Sequence, residues 1–397
     1  MAWCKHTSST SLKLEAAARK KVKVSFAVRI GAVRKGSGMP VPGYTLGEVL
    51  GEGAFAQTRI GHHNDRPDQP VAVKSISRSH PRFDLEAIRK EIAVMQRIKH
   101  PRCVNLLEVA HSLGRLLACA RCQWFCGRSL AALLQCPAET VPALASPDAA
   151  CRQVHEDKTA IHMVEELCAG GELFDRIIEV GKFSEADAVH LIHQVVDGIQ
   201  YLHSMGCIHR DLKPENLLMV GRTPGTAEYL QLKICDFGLS AMRDVDGTKE
   251  DFDKDLQKYM GTEEYIAPEV FITASSVAKQ QAGEHYTGKI DVWAIGVIFY
   301  IMVTGRFPFM RKDHDSFYIV QQICKGTYDK ECMERLSEDS KNFIDACLTI
   351  NPDQRPTPFE LMDLAIFKNG KLPTDDLHCL GTHSHKSVSV TLKSKWQ

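Results

Sequence analysis

Short runs of β-forming residues alternate with polar segments near the start of the chain, at residues 44–50, 58–61 and 71–75. Glycines separate these runs, and so does the polar stretch 62–69, which we predict to be a loop. This pattern is typical of antiparallel strands that are joined by turns.

A longer period marks the predicted helices. In residues 85–98 the apolar positions are spaced by three and four, at Ile88, Ile92, Met95 and Ile98. Beyond residue 158 helical periodicity recurs, at residues 172–180, 184–204, 291–304, 339–349 and 359–367. The pattern therefore predicts an α+β protein with a small antiparallel β-rich lobe that contains one key helix, then a large, mainly helical lobe. A functional site is expected between two such lobes.

The composition is that of an ordinary globular protein, with 44% hydrophobic and 25% charged residues. Because 49 basic residues balance 49 acidic ones, no net field attracts polyanions, and we expect no nucleic-acid partner. The longest apolar run, residues 292–303, is too short to cross a bilayer. We therefore expect a buried core helix there and no membrane span.

The cysteines and the N-terminal arm bear on location. We expect the 14 cysteines to be reduced, because the chain is long and has no signal-peptide apolar region. A cytoplasmic location follows from that expectation. Residues 1–39 are rich in Lys and Arg, with Glu15 as their one acidic residue, so this arm is interpreted as a solvated, disordered tail. An organellar transit peptide is the alternative.

Several short motifs suggest phosphate chemistry. Gly51-Glu-Gly53-Ala-Phe55 lies between two predicted strands, where glycines let the backbone approach phosphates. Lys74 lies on the next strand, and Glu91 on the following helix is placed to pair with it. Each signal is weak by itself, since a glycine pair is usually a turn and a strand lysine usually extends to solvent.

Three further blocks make the pattern specific. They are His209-Arg-Asp211-Leu-Lys213-Pro-Glu215-Asn216, Asp236-Phe-Gly238 and Ala267-Pro-Glu269. With the two upstream motifs, and in this order, they resemble the eukaryotic protein kinases, on the serine/threonine branch. Glu166-Leu-Cys-Ala-Gly-Gly171-Glu172-Leu-Phe-Asp-Arg176 is similar to the calcium/calmodulin-dependent kinase group.

This resemblance implies a two-lobe kinase fold and transfer of the γ-phosphate of ATP, with Mg²⁺, to protein serine or threonine hydroxyls. The implied catalytic residues are Asp211 as proton acceptor, Lys213 at the γ-phosphate, and Lys74 with Glu91 at the other phosphates. The implied metal ligands are Asn216 and Asp236.

The resemblance also implies nucleotide, substrate and regulatory positions. The implied ATP-binding residues, besides Lys74, are Gly51, Glu52, Gly53, Ala54, Phe55, Ala72, Glu166, Cys168 and Leu218. Glu172 and Glu215 would meet an arginine upstream of the phosphorylated residue. The implied regulatory residues are Arg210, Thr248, Tyr259 and Thr262.

Some positions depart from the family pattern. Glu165 stands at the back of the adenine pocket, where an apolar residue is common, and we expect it to weaken ATP binding. Lys258 stands where relatives carry a phosphorylatable threonine. We hypothesise that one of the nearby carboxylates meets Arg210 in place of a phosphate: Glu250, Asp251, Asp253 or Asp255. A solvated acidic loop is the alternative.

The largest departure is an atypical insert at about residues 110–154. Joining residues 107–109 directly to 155–163 restores an ordinary strand pair. Three interpretations remain open for the insert: a translated intron or gene-model error, a tolerated surface loop, or a metal-binding insert that uses Cys119, Cys122 and Cys126.

The resemblance implies a kinase domain over residues 44–367, with lobes at 44–166 and 167–367. A basic arm at 1–43 precedes it and a short tail at 368–397 follows. We expect a monomer that acts on protein substrates, and the chain itself supports no calcium sensor. The alternative is a pseudokinase that binds nucleotide or partners without catalysis.

Overall fold

A computed structural model describes residues 41–52, 56–110, 155–156, 160–243, 245, 247–275, 286–309 and 316–368. Interpretations of the N-terminal arm, of the insert beyond Ala110 and of the C-terminal tail fall outside these residues, as do the implied roles of Gly53, Ala54 and Phe55. The chain divides into two compact units. We call Val33–Gln96 with Asn105–Leu167 the sheet unit, and the unit that contains Arg97–Val104 and Cys168–Gln397 the helical unit.

Alternating apolar residues build the antiparallel sheet of the sheet unit. Its strands are β1 (Tyr44–Glu52), β2 (Ala56–His63), β3 (Arg66–Ser77), β4 (Leu106–Ala110), β5 (His155–Glu156) and β6 (Ala160–Glu166). They lie in the order β1-β2-β3-β6-β4, and β5 also pairs with β6. Val71 and Val73 of β3 pack with Val164 of β6 in its apolar core.

The predicted helix of the sheet unit is α1 (Leu85–Arg97). Ile88, Ile92 and Met95 are buried as the periodicity predicts, and Glu91 is buried with them. Asp84 caps the helix, since its Oδ1 accepts hydrogen bonds from the backbone N–H groups of Glu86 and Ala87.

The predicted loop at residues 62–69 is wrong for most of its length. β2 continues to His63 and β3 begins at Arg66, so the connection is a tight turn at Asn64 and Asp65. The exposed ends of these strands carry polar residues on both faces, which removes the alternation on which a strand prediction depends. Backbone pairing extends the ladder there without apolar side chains.

The strand pair predicted on either side of the insert is confirmed. β4 pairs with β6, and β5 pairs with the same strand. Ala110 and His155 both lie opposite His162. The chain therefore leaves the sheet and returns to it at one point of its edge.

The helical unit consists mainly of α-helices. They are α2 (Leu173–Val180), α3 (Glu185–Ser204), α4 (Lys249–Asp255), α5 (Pro268–Ser275), α6 (Lys289–Thr304), α7 (Ser316–Lys325), α8 (Glu338–Cys347), α9 (Pro358–Leu361) and α10 (Ala365–Lys368). Two small antiparallel sheets accompany them, formed by β7 (Gly171–Glu172), β8 (Cys207–Ile208), β9 (Leu217–Met219), β10 (Leu232–Ile234) and β11 (Ala241–Met242).

Helix α6 is the centre of this unit. Every residue from Ile290 to Val303 is buried, which confirms the predicted core helix. Gly296 lets α6 approach α8 closely, since a Cβ at this position would lie 2.5 Å from the Cβ of Cys347. No helix in the described part of the chain is long and apolar enough to span a bilayer.

Some helix predictions need correction. Residues 359–367 form two short helices, α9 and α10, because the chain turns after Leu361. Helices α4, α5 and α7 were not predicted from the sequence. Helix α4 is short and mostly polar, and its N-terminus is held by a capping box between Thr248 and Asp251 instead of by an apolar stripe.

Candidate active site

A hydrogen-bonded group of side chains surrounds Asp211 in the helical unit. Lys213 Nζ lies 2.6 Å from Asp211 Oδ2 and also donates to Thr262 Oγ1 at 2.8 Å. The Thr262 hydroxyl in turn donates to Asp211 Oδ1 at 2.8 Å. Both carboxylate oxygens are therefore held, and the carboxylate has a defined orientation before any substrate binds.

Asn216 joins this group from a 3₁₀ turn, Pro214–Asn216. Its amide nitrogen donates to the backbone oxygen of Asp211 at 2.8 Å and to Asp211 Oδ2 at 3.2 Å. Because the nitrogen is engaged in this way, the amide oxygen is the atom available to a cation.

Asp291, at the start of α6, holds the backbone that precedes Asp211. Its carboxylate accepts from the N–H groups of His209 and Arg210, both at 2.9 Å, and from His203 Nε2 at 2.8 Å. Burial acts to raise the pKa of Asp291, but the hydrogen bonds and charges of His203 and His209 together outweigh it and hold this pKa below its ordinary value. Arg210 has a φ of 67°, a left-handed conformation that is costly for a non-glycine residue and is kept here by these contacts.

The segment that contains Asp236 has a similar backbone. Asp236 has a φ of 64°, and the N–H of Gly238 approaches its Oδ1 at 3.5 Å. The neighbouring Phe237 is buried, with its ring centroid 5.4 Å from that of His209. An aromatic contact thus links the segment of Asp236 to the segment of Asp211.

Gly261 brings the backbone next to Thr262 close to Arg210. Its φ is 107°, and a Cβ at this position would lie 2.8 Å from the backbone oxygen of Arg210. Only glycine fits this approach without strain.

In the sheet unit, Lys74 and Glu91 form an ion pair, with 2.7 Å between Nζ and Oε1. The Glu91 side chain is 5% exposed, so the pair is well shielded from solvent. Lys74 lies on β3 opposite Thr58 of β2 and Met163 of β6, in the middle of the sheet.

The other implied nucleotide positions are divided between the two units. Gly51 and Glu52 end β1, and Glu52 accepts a hydrogen bond from Gln57 at 2.9 Å. Ala72 is buried on β3. The Glu166 carboxylate accepts from Asn105 Nδ2 at 2.9 Å. In the helical unit, Cys168 is buried and Leu218 lies on β9.

The two implied substrate residues both lie in the helical unit. Glu172 is the N-cap residue of α2 but makes no capping hydrogen bond through its side chain. Glu215 lies in the 3₁₀ turn beside Tyr265. Burial first, then the charges of Glu215, Glu264 and Asp211, raise the pKa of Tyr265 well above its ordinary value.

The regulatory positions differ in their surroundings. Arg210 contacts Asp255 with 2.7 Å between Nη2 and Oδ2, so one of the carboxylates near Lys258 does meet this arginine. Thr248 caps α4, and its hydroxyl donates to Asp251 Oδ2 at 2.8 Å. Tyr259 is 49% exposed.

Tyr286 was not predicted as a site residue. Its hydroxyl accepts a hydrogen bond from Arg210 Nη1 at 3.5 Å and donates to the backbone oxygen of Lys258 at 3.0 Å. Tyr286 lies in no recognised sequence motif. Its hydroxyl contacts Arg210 and Lys258, which are far away in the chain. His203, the partner of Asp291, was also missed, because it looks like an ordinary last-turn helix residue.

Comparison with known proteins agrees with these features. Residues 149–367 match a family model described as protein kinase domain, and residues 44–144 match one described as protein tyrosine and serine/threonine kinase. Calcium/calmodulin-dependent protein kinase type 1 of Macrobrachium nipponense is 30% identical over 89% of this chain and 83% of its own length. Serine/threonine-protein kinase H1 of Homo sapiens is 33% identical over 80% of this chain and 60% of its own length.

Proposed function

This chain belongs to the protein kinase family, as a serine/threonine kinase similar to the calcium/calmodulin-dependent group, and from that premise we propose that it transfers the γ-phosphate of Mg-ATP to protein hydroxyls. The observation that carries the proposal is the arrangement of Lys213, Thr262 and Asp211, in which both oxygens of one carboxylate are oriented by donors at 2.6 and 2.8 Å. A catalytic base must be held in this way to accept a proton from a substrate hydroxyl.

The proposed reaction assigns one task to each residue. The serine or threonine oxygen of the substrate attacks the γ-phosphorus, the bond to the leaving oxygen of ADP breaks, and the hydroxyl proton passes to the Asp211 carboxylate. Lys213, which donates to both Asp211 and Thr262, would offset charge on the transferred group. Lys74, held by Glu91, would bind the phosphates that remain with ADP.

Asn216 and Asp236 are suited to hold Mg²⁺. One amide oxygen and one carboxylate are the oxygen donors that this ion prefers. A bound Mg²⁺ would neutralise phosphate charge. The engaged nitrogen of Asn216 supports this assignment, since it fixes a side chain whose oxygen can serve as ligand.

We further propose that residues 44–367 form the two lobes of a kinase domain. The adenine-binding residues would be Ala72 and the backbone of Glu166 in the sheet unit, and Leu218 and the backbone of Cys168 in the helical unit. This catalytic domain would act as a monomer in the cytoplasm. The division into a sheet unit and a helical unit supports the assignment of the lobes. Glu165 lies opposite Ala72 in the pairing of β3 with β6, which supports an effect of its carboxylate on ATP affinity.

The test is transfer of phosphate from Mg-ATP to a peptide that contains serine and an upstream arginine. We expect wild type to phosphorylate the peptide and Asp211→Asn to lose roughly a hundred- to a thousandfold in kcat, the cost of removing one preorganised charge. Asp353→Asn makes the same chemical change at an exposed site and should behave as wild type. Nucleotide binding without transfer by wild type would instead identify a pseudokinase.

The preference for arginine is tested with two peptides that differ only in having arginine or alanine three residues before the serine. Glu172→Gln should raise KM for the arginine peptide and leave the alanine peptide unchanged, because a charge pair is lost only with the former. Glu228→Gln, at an exposed site of the same unit, is the matched control. Equal KM values for the two peptides with wild type would contradict the preference.

A further inference from the structure

The Arg210 guanidinium is buried and fully engaged. Its Nε donates to the backbone oxygen of Leu239 at 2.6 Å, and its Nη1 donates to the backbone oxygen of Asp255 at 3.0 Å. Its Nη2 forms an ion pair with Asp255 Oδ2 at 2.7 Å. Arg210 therefore connects the backbone beside Asp211 with two distant points of the activation segment, residues 236–269.

The Asp255 carboxylate is held by a second cation. Its Oδ1 lies 2.7 Å from Lys258 Nζ, and the backbone oxygen of Lys258 accepts from the Tyr286 hydroxyl at 3.0 Å. Tyr286 also contacts Arg210 Nη1. We call these four residues, Arg210, Asp255, Lys258 and Tyr286, the Asp255 clamp.

The clamp places a permanent negative charge where a kinase with a phosphorylated activation segment would place a phosphate. A phosphate orders such a segment because its oxygens pair with arginine. Asp255 offers two oxygens to Arg210 and Lys258 and is buried at the end of α4. Because the arginine is buried, the pair is screened little by salt and keeps one geometry.

Phosphorylation of Thr248 or Tyr259 is poorly suited to supply the charge that Asp255 provides. Thr248 Oγ1 is already bonded to the Asp251 carboxylate, so a phosphate there would meet a like charge. Tyr259 faces the same difficulty, because Glu263 and Glu264 lie close enough that their charges, after burial, help to raise the pKa of its hydroxyl. Phosphorylation of either residue would therefore add negative charge next to carboxylates.

We propose that Asp255 is a positioning residue that holds Arg210, and through it Asp211, in the active arrangement, so that this kinase works without phosphorylation of its activation segment. The proposal rests on the proposed function, because it concerns the regulation of the same site. It also gives Lys258 a role at the position where relatives carry a threonine, since its ammonium neutralises the second oxygen of Asp255.

The experiment measures the initial rate of peptide phosphorylation by the full chain after treatment with a phosphatase, with mass spectrometry to verify that no phosphate remains. We expect the treated protein to match the mock-treated protein and to show no lag. An active mock-treated sample with an inactive or lagging treated sample would overturn the proposal while leaving the proposed function intact. Failure of both samples would count against the proposed function itself.

Variants of Asp255 supply the second readout. Asp255→Asn should lower kcat roughly 10- to 100-fold with little change in KM for ATP, because a small displacement of the catalytic group costs about this much. Asp255→Glu, which keeps the charge, should recover much of the loss. Glu250→Gln removes a charge from an exposed position of the same helix and is the matched control.

The variants and the phosphatase comparison together test the proposal, even if one variant folds poorly. If Asp255→Asn keeps the kcat of Glu250→Gln, the proposal is overturned. If Asp255→Asn unfolds early in a thermal melt, the phosphatase comparison on wild type still decides, because it changes no residue. Equal losses in Asp255→Asn and Asp255→Glu would also overturn the proposal, since charge would then not be the property that matters.

Discussion

Arg355 and Glu269 form a bidentate ion pair inside the helical unit, with distances of 2.6 Å from Nη1 to Oε1 and 3.0 Å from Nη2 to Oε2. The Arg355 side chain is completely buried. It also donates to the backbone oxygens of Thr349, Lys289 and Ile350. The pair thus ties the end of the activation segment to the loop that follows α8.

Replacing Glu269 with Ala should strongly destabilise the protein, because it leaves the buried Arg355 charge without its partner. We expect the free energy of unfolding to fall by about 3–5 kcal/mol, the usual cost of breaking a buried pair from one side. Urea unfolding monitored by circular dichroism measures this. Lys341→Ala, which breaks the solvent-exposed pair with Glu338, should cost under about 1 kcal/mol. Similar losses in the two variants would show that burial of Arg355 does not matter.

Lys74→Met tests the ion pair of the sheet unit. We expect kcat/KM to fall roughly a hundred- to a thousandfold while the unfolding midpoint changes little, because the methionine keeps the length of the side chain and loses its charge. Steady-state kinetics and a thermal melt together check this. Lys99→Met, at an exposed position, is the control. Unchanged kinetics in Lys74→Met would remove Lys74 from the set of functional residues.

The stability of the helical unit should depend on pH through His190 and His193. Burial is the main cause that lowers the pKa of both below 6.5. Well above pH 6.5 the side chains are neutral in both states, so they add no pH dependence. As the pH falls below 6.5, the unfolded chain takes up protons first, and the free energy of unfolding decreases.

This pH dependence can be measured by urea unfolding at pH 7.5 and pH 5.5. Wild type should lose stability between these two values. The double variant His190→Asn, His193→Asn should lose less, because the two titrating groups are absent. An identical loss in the double variant would place the titrating groups elsewhere.

Gly296→Ala tests the close packing of α6 against α8. An alanine usually stabilises a helix interior by roughly 1 kcal/mol relative to glycine. Here the added Cβ would lie 2.5 Å from the Cβ of Cys347 and 3.0 Å from Cδ2 of Leu348, so overpacking should reverse the sign. We expect a net loss of about 1–3 kcal/mol in the free energy of unfolding, measured by urea titration. A stabilised variant would mean that α8 can move away from α6.

Local patterns in the chain predicted most elements that have a clear apolar period. Helices α1 and α3 and the buried α6 follow from spacing alone, because one face or the whole surface of each is apolar. The hairpin at Asn64 and the short helix α4 could not be predicted in that way. Their residues are polar, and backbone pairing or a capping box defines them.

Motif spacing also identified the candidate catalytic and metal-binding residues around Asp211 and Asp236. Phosphoryl transfer needs these types of side chain, and the motifs occur in the order that kinases share. The sequence could narrow the partner of Arg210 to a few nearby carboxylates. It could not choose among them, because α4 was not recognised and the direction of each side chain depends on it.

The sequence by itself therefore determined the family, the order of a β-rich and then a mainly helical part, and the identity of the catalytic candidates. The tertiary structure decided which residues meet. Thr262 reaches Asp211 across 51 positions of the chain, and Arg210 reaches the backbone of Asp255 across 45. Such contacts depend on how the helices pack around α6, and no local period or propensity records that packing.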